Sequence, residues 1–311
     1  MKILCVSTSL TEQSTWRDLL AAALPQAEVV AWQDNASAQD ADIAVVWKPP
    51  VALFERERKL RAVFNLGAGV DALLAIPGLP ADLPIVRLED AGMGAQMAEY
   101  VVHALVRASR RFDDYEAQQR ARQWRPLPEL DRRQWPVGVL GMGVLGAQVA
   151  RAVAGLGYPV AGWSRGGRAT EAGIEMYAGS DALPAFLRRT RVLVNLLPLT
   201  RGTEGILCRA TLSQLLPQAH LINIARGQHL VEEDLLPLMD EGRLSGATLD
   251  VFRQEPLPPG HPFWTDPRVT ITPHIAAISL QRETVEQISS KILAFMRGEA
   301  VTGIVERGRG Y

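Results

Sequence analysis

Gly141-Met142-Gly143-Val144-Leu145-Gly146 follows the apolar run Val137 to Leu140 and leads into the helical run Ala147 to Leu156. A G-x-G-x-x-G spacing says little alone, but between a strand and a helix it is specific. Gly141 makes the tight turn, Gly143 lets the backbone approach a pyrophosphate, and Gly146 lets helix and strand pack closely. The helix N-terminus that begins at Val144 and Leu145 offers N–H groups and the positive end of a dipole to phosphates. A dinucleotide cofactor is therefore expected here. The end of the next apolar run, Gly162-Trp163-Ser164-Arg165-Gly166-Gly167-Arg168, selects between cofactors. It has no carboxylate to bond both ribose hydroxyls, as an NAD site has. Ser164, Arg165 and Arg168 instead suit a 2′-phosphate, which a small donor and planar guanidinium groups can grip. This predicts NADPH (NADP+) in preference to NADH.

Outward from this loop the chain alternates short apolar runs with helical patterns. After it come Pro159 to Trp163, Val192 to Leu196, His220 to Ala225, Ala247 to Val251 and Val269 to Thr272. Before it come Lys2 to Ser7, Ile43 to Trp47 and Ala62 to Leu66, with a helical pattern over Thr15 to Leu24. Such alternation predicts parallel strands joined by crossover helices. A long helix is expected from about Met97 to Gln123, followed by a polar, Pro-containing stretch to Trp135, and a final helix over Ser279 to Arg297. The expected fold is α/β, with two Rossmann-like, doubly wound parallel-sheet domains and the active site in the cleft between them. Residues 1–98 with 280–311 would form a flavodoxin-like, substrate-binding domain, and 99–279 the dinucleotide-binding domain.

The chain's 311 residues, 47% of them hydrophobic, suffice for about two cores. A formal net charge of −1 and the lack of a basic block argue against nucleic acid or a membrane surface as partner. No stretch reaches the roughly 20 apolar residues of a membrane span, and the N-terminus reads as a strand rather than a signal peptide. The two cysteines, Cys5 and Cys208, sit in or beside apolar segments and read as buried thiols. No metal site is expected, and a cytoplasmic setting is.

Three polar residues follow three late apolar runs: Arg226 after Leu221 to Ala225, Glu255 after Ala247 to Phe252, and His274 after Val269 to Pro273. Residues just past the carboxyl ends of parallel strands converge on the ligand crevice. Their chemistry fits reduction of a keto group, in which negative charge grows on the carbonyl oxygen. His274 can give that oxygen a proton as general acid. Glu255 can bond the other ring nitrogen, holding the imidazole and favouring its protonated form. Arg226 offers a charged fork to a substrate carboxylate and the carbonyl oxygen. Each residue alone has an ordinary structural explanation; the trio gains weight from its shared placement.

At these residues the chain resembles the D-isomer-specific 2-hydroxyacid dehydrogenases. Asn223-Ile224-Ala225-Arg226-Gly227, Leu249-Asp250-Val251-Phe252 with Glu255-Pro256-Leu257, and Thr272-Pro273-His274-Ile275-Ala276 are similar to that family's signatures. More narrowly, Trp47-Lys48-Pro49-Pro50, Leu66-Gly67-Ala68-Gly69-Val70-Asp71, Arg87-Leu88-Glu89-Asp90 and the ending Arg309-Gly310-Tyr311 look like the bacterial glyoxylate/hydroxypyruvate reductase A group. The resemblance implies that Arg226, Glu255 and His274 are catalytic. It implies that the N–H groups of Ala68 and Gly69 hold the substrate carboxylate, and that Trp47 and Met93 shape the pocket around it. Leu197, Pro198, Thr203, Ala225, Arg226, Asp250 and His274 would contact cofactor, with Asp250 reaching the nicotinamide carboxamide. It further implies a homodimer through the nucleotide domains, with an arm over about 110–133, carrying Phe112, Tyr115 and Trp124, around the partner. The chain departs from the wider family in lacking the NAD carboxylate and in having Ala276 and Ala277 after the histidine.

The expected activity is NADPH-dependent reduction of small 2-oxo acids, glyoxylate to glycolate and hydroxypyruvate to D-glycerate. Two alternatives are a 2-ketoacid with a larger side chain and a non-catalytic dinucleotide sensor. The second would have no need of Arg226, Glu255 and His274 together.

Overall fold

The computed structural model describes residues 1–34, 37–167 and 173–311. They form two compact units, Met1–Gly92 with Ser279–Tyr311, and Met93–Ile278. Each has its own parallel sheet.

The sheet of the first unit contains β1 (Lys2–Ser7), β2 (Glu28–Ala31), β3 (Ile43–Trp47), β4 (Ala62–Asn65) and β5 (Ile85–Arg87), in the order β2-β1-β3-β4-β5. Every pairing is parallel. This is the flavodoxin-like strand order. β3 and β4 are near-continuous buried apolar runs, as strands covered on both faces must be. The final helix, Gln281–Met296, belongs to this unit. Its Phe295 ring meets the buried Phe64 edge-on, centroids 6.1 Å apart, and its Lys291 Nζ donates to the Arg87 carbonyl at 2.9 Å.

The second sheet contains β6 (Val137–Leu140), β7 (Val160–Ser164), β8 (Glu175–Ala178), β9 (Val192–Asn195), β10 (Ala219–Asn223), β11 (Leu244–Leu249) and β12 (Val269–Ile271). Its order is β12-β11-β10-β9-β6-β7-β8, again wholly parallel. From β6 the chain winds outward through β7 and β8, then returns to β9 and winds the other way. The reversal between β6 and β9 is the switch point at which ligands of doubly wound sheets bind. The Gly141–Gly146 segment leaves β6 beside it.

Three expectations differ from the structure. The helix expected over Met97 to Gln123 is two helices, Met93–Ser109 and Phe112–Arg120. Arg111 between them is left-handed, with φ of 56°, which no helix continues through, and Asp113 and Asp114 then favour a new N-terminus. The unit boundary expected at 98/99 falls at 92/93, because the helix beginning at Met93 lies wholly in the second unit. The short strands β2, β5 and β8 were not among the apolar runs; β2 and β8 are sheet edges of mixed polarity.

Candidate active site

The loop after β6 has the glycine geometry its spacing predicts. Gly141 has φ of +98°, and a Cβ there would lie 2.7 Å from the Leu196 carbonyl oxygen. A Cβ on Gly146 would overlap the Gly141 carbonyl oxygen. Gly143 is different: a Cβ there would meet nothing within 4 Å, so the backbone faces open space. Gly143 is also the N-cap of the helix Val144–Gly155, with no side-chain cap and no acidic residue in the first turn. No carboxylate of that first turn therefore competes with an anion for the dipole end.

At the end of β7 the Ser164 hydroxyl is shielded from solvent and has no hydrogen-bond partner among the described residues. Orphaned buried hydroxyls are uncommon and ask for an explanation. A phosphate oxygen would satisfy this one, and Arg165 follows directly in sequence. Arg168 lies outside the described residues. Both observations fit NADPH.

The loops after β9 and β10 carry the remaining nucleotide-side candidates. Asn195, at the end of β9, accepts from the Leu197 N–H at 3.2 Å. The Thr203 hydroxyl donates to the Pro198 carbonyl at 2.7 Å and accepts from the Thr200 N–H at 2.9 Å. Thr203, expected at the cofactor, therefore spends its hydroxyl on shaping the 198–203 loop. After β10, the Ala225 N–H and the Arg226 carbonyl are both held by the Asn223 side chain, at 3.3 and 3.1 Å. The Arg226 guanidinium donates to the Ala225 carbonyl at 2.7 Å. Gly227 packs so closely on the Phe252 backbone that a Cβ would overlap it. That contact ties the Arg226 loop to the loop of Glu255.

Glu255 accepts from the Phe252 N–H at 3.0 Å through one oxygen and from His274 Nδ1 at 2.8 Å through the other. An ionised carboxylate only accepts, so Nδ1 carries the hydrogen and Nε2 is left as the nitrogen for a substrate. Both side chains remain accessible to solvent. His274 has φ of 58° and donates its N–H to the Asp250 carbonyl at 2.9 Å. The fully buried Asp250 carboxylate holds the rest of this loop. It accepts from Thr272 Oγ1 at 2.6 Å, Ile275 N at 2.8 Å and Ala276 N at 2.8 Å. Thr272 Oγ1 lies 2.5 Å from Tyr100 Oη. Burial pushes the Tyr100 phenol up to about 12, so it stays protonated and donates. Asp250 was expected at the nicotinamide carboxamide; with three donors already on its two oxygens, its geometry favours fixing the His274 loop.

In the first unit, Trp47 ends β3 and lays its ring against Gly67, where a Cβ would be 2.5 Å from Trp47 Cζ3. Lys48 Nζ sits 5.8 Å from the ring centroid. The buried Asn65 donates to the carbonyls of both Gly67 (2.9 Å) and Gly69 (3.0 Å). With the carbonyls bound on one side, the Ala68 and Gly69 N–H groups donate to nothing among the described residues. Two successive unused N–H groups are donors an anion can take. Met93 opens the helix Met93–Ser109 of the second unit. Asn65, Asn195, Asn223, Thr272 and Tyr100 brace the candidate residues, a role not expected of any of them from the sequence.

A family model described as "D-isomer specific 2-hydroxyacid dehydrogenase, NAD binding domain" matches residues 102–276. A glyoxylate/hydroxypyruvate reductase A from Citrobacter koseri is 50% identical over 301 residues, covering 95% of this chain and 96% of its own. The chain belongs to the D-isomer-specific 2-hydroxyacid dehydrogenase family. Two solved members are similar throughout. One, from Xanthobacter autotrophicus in complex with NADPH and MES, has a TM-score of 0.92 and 37% identity, covering 100% of this chain and 99% of its own. The other, an NADPH-dependent glyoxylate/hydroxypyruvate reductase from Sinorhizobium meliloti in complex with NADP and sulfate, has a TM-score of 0.91, 38% identity and the same coverage. The two parallel α/β domains read from the alternating sequence are thus the architecture of this family.

Proposed function

We propose that this chain reduces small 2-oxo acids, glyoxylate and hydroxypyruvate, with NADPH. The observation that carries the reading is the His274 Nδ1–Glu255 Oε2 bond of 2.8 Å. It leaves one ring nitrogen to serve a keto oxygen, in the sheet that holds the dinucleotide loop. Support comes from relatives named for this reaction and solved members bound to NADPH or NADP.

The cofactor, when bound, supplies hydride to the carbonyl carbon. Gly143 and the amides of the following helix hold its pyrophosphate, Ser164 and Arg165 its 2′-phosphate, and the backbone about Leu197, Pro198 and Ala225 lines its path. Ala68 and Gly69 take the substrate carboxylate on their amides, and Trp47 and Met93 limit the side chain. Arg226 stabilises negative charge on the keto oxygen, worth about 3 kcal/mol for a positioned donor of this kind. His274 Nε2 delivers the proton, and Glu255 holds the ring and balances the imidazolium that does so. Asp250 and Thr272 keep the His274 loop in place.

The reading includes a homodimer through the nucleotide domains. The arm over 110–133 exposes Phe112 and Tyr115, and Trp124 is 98% exposed, an unusual state for a tryptophan on a monomer surface. A monomer in light scattering contradicts this part. A cytoplasmic setting, where the thiols of Cys5 and Cys208 stay reduced, completes the reading.

The test mixes purified protein with NADPH and follows absorbance loss on adding glyoxylate, hydroxypyruvate or pyruvate, then repeats with NADH. Rapid loss with the first two and NADPH supports the proposal. A protein that binds NADPH but turns over none of them refutes the substrate class, and a clear NADH preference refutes the role of Ser164 and Arg165.

A further inference from the structure

Asn195, Asn223 and His229 are fully buried and joined to one another, and the reaction uses none of them directly. Asn195 Nδ2 donates to Asn223 Oδ1 at 2.9 Å and lies 3.0 Å from His229 Nδ1. His229 Nε2 lies 3.3 Å from the Pro198 carbonyl. We infer that His229 is a positioning residue: through a neutral hydrogen-bond network it sets the cofactor-side loop at Leu197 and Pro198 in register with the loop that carries Arg226. The inference rests on the roles proposed above for those loops.

The direction of every bond follows from backbone groups whose roles are fixed. Asn195 Oδ1 accepts the Leu197 N–H, so its NH2 group points the other way, toward Asn223 and His229. Asn223 Oδ1 accepts the Ala225 N–H, so its NH2 group donates to the Arg226 carbonyl. His229 Nδ1 faces a donor and must accept. Its single hydrogen is then on Nε2, facing the Pro198 carbonyl, which can only accept. The chain of bonds runs from Pro198 through His229, Asn195 and Asn223 to Arg226 and uses both hydrogens of the Asn195 amide. An apolar residue at position 229 would strand an Asn195 N–H in a water-free interior, where an unmade bond costs more than a made one gains. Each ring nitrogen serves one loop. Nδ1 braces the Arg226 side through the asparagines. Nε2 braces Pro198, whose carbonyl otherwise accepts from the Thr203 hydroxyl.

That division of labour gives the test. Asn at 229 places an oxygen near the position of Nδ1, and Gln places an NH2 near that of Nε2. NADPH Kd is measured by fluorescence titration, and kcat with glyoxylate at saturating NADPH, for the wild type, His229→Asn and His229→Gln. Wild-type turnover in this assay decides the proposed function on its own, apart from how the variants behave. His229→Asn is expected to keep kcat within about twofold and weaken NADPH about fivefold, the equivalent of one neutral hydrogen bond. His229→Gln is expected to do the reverse. Equal loss of both quantities in both variants, or loss of neither, overturns the inference. The wild type offers a check independent of variant folding. In protein labelled with 15N-histidine, the ring near the Asn195 side-chain amide is expected as the Nε2–H tautomer. An Nδ1–H tautomer of that ring overturns the inference.

Discussion

Replacing Asp250 by Asn preserves the side chain's volume and removes its ability to accept on both sides. In the native loop one oxygen takes the Thr272 hydroxyl and the Ile275 N–H, and the other takes the Ala276 N–H. If the substituted amide turns its oxygen toward Thr272 and Ile275, its NH2 opposes the Ala276 N–H. If it turns the other way, its NH2 opposes the Ile275 N–H. Either way one backbone donor of the loop is stranded, at about 1–3 kcal/mol, and the remaining bonds lose the charge that made each worth about 1 kcal/mol more. The total is about 4 kcal/mol. For the unit Met93–Ile278 that corresponds to a fall of about 10 °C in Tm by calorimetry. The stranded donors belong to the two residues after His274, so the imidazole moves with the loop. A misplacement of about 1 Å costs about 100-fold in rate. Turnover of glyoxylate with NADPH reads this directly. An Asp250→Asn variant with Tm within about 2 °C and kcat within about twofold of wild type would refute the claim that Asp250 fixes the His274 loop.

Gly227→Ala forces a methyl into the Phe252 backbone and must part the loops of Arg226 and Glu255. A loss of about 3 kcal/mol in urea unfolding is expected, with kcat falling more than the KM for glyoxylate changes. Ser164→Ala is expected to raise the KM for NADPH about tenfold and leave that for NADH unchanged, since only the former carries the phosphate that the hydroxyl would bond; equal effects on both exclude the role. Burial lowers the His220 imidazole to about 4, from an ordinary value of 6.5 in the unfolded chain. The unfolded state therefore binds a proton that the folded state refuses as pH falls through 6.5. Stability drops by about 2 kcal/mol at most between pH 7 and 5 from this group, and rises again toward pH 7. Urea midpoints at the two pH values for wild type and His220→Gln check this, because the variant should show a shallower fall.

The parts legible in the sequence are those in which local chemistry and fold demand the same residues. The glycine spacing after β6 is such a case: Gly141 needs its positive φ and Gly146 has no room for a Cβ, whatever the rest of the chain does. The pairing of Glu255 with His274 was legible because each follows an apolar run, and parallel strands bring such positions together. What escaped depends on partners far away in sequence. Nothing around Tyr100 says that its hydroxyl ends beside Thr272, 172 residues later. The donors that Asp250 gathers, the N–H groups of residues 275 and 276, carry no mark in the sequence. The break at Arg111 was hidden because a single left-handed residue interrupts a continuous helical pattern.

One signal does survive in the letters and covers much of what was missed. β4, β9 and β10 each end in asparagine: Asn65, Asn195 and Asn223. All three are buried, and each turns its amide onto the loop leaving its own strand. The physical need is the same in both sheets. Past the last ladder bond the backbone has no neighbouring strand to pair with, yet it is still buried and its groups must be satisfied. An asparagine carries a peptide-like amide on a short tether, so it supplies the missing donor and acceptor from within the strand. It does so without placing a negative charge beside the loop. An apolar run that closes on Asn therefore marks a braced loop, and here it marks Ala68–Gly69, Leu197–Pro198 and Ala225–Arg226 alike.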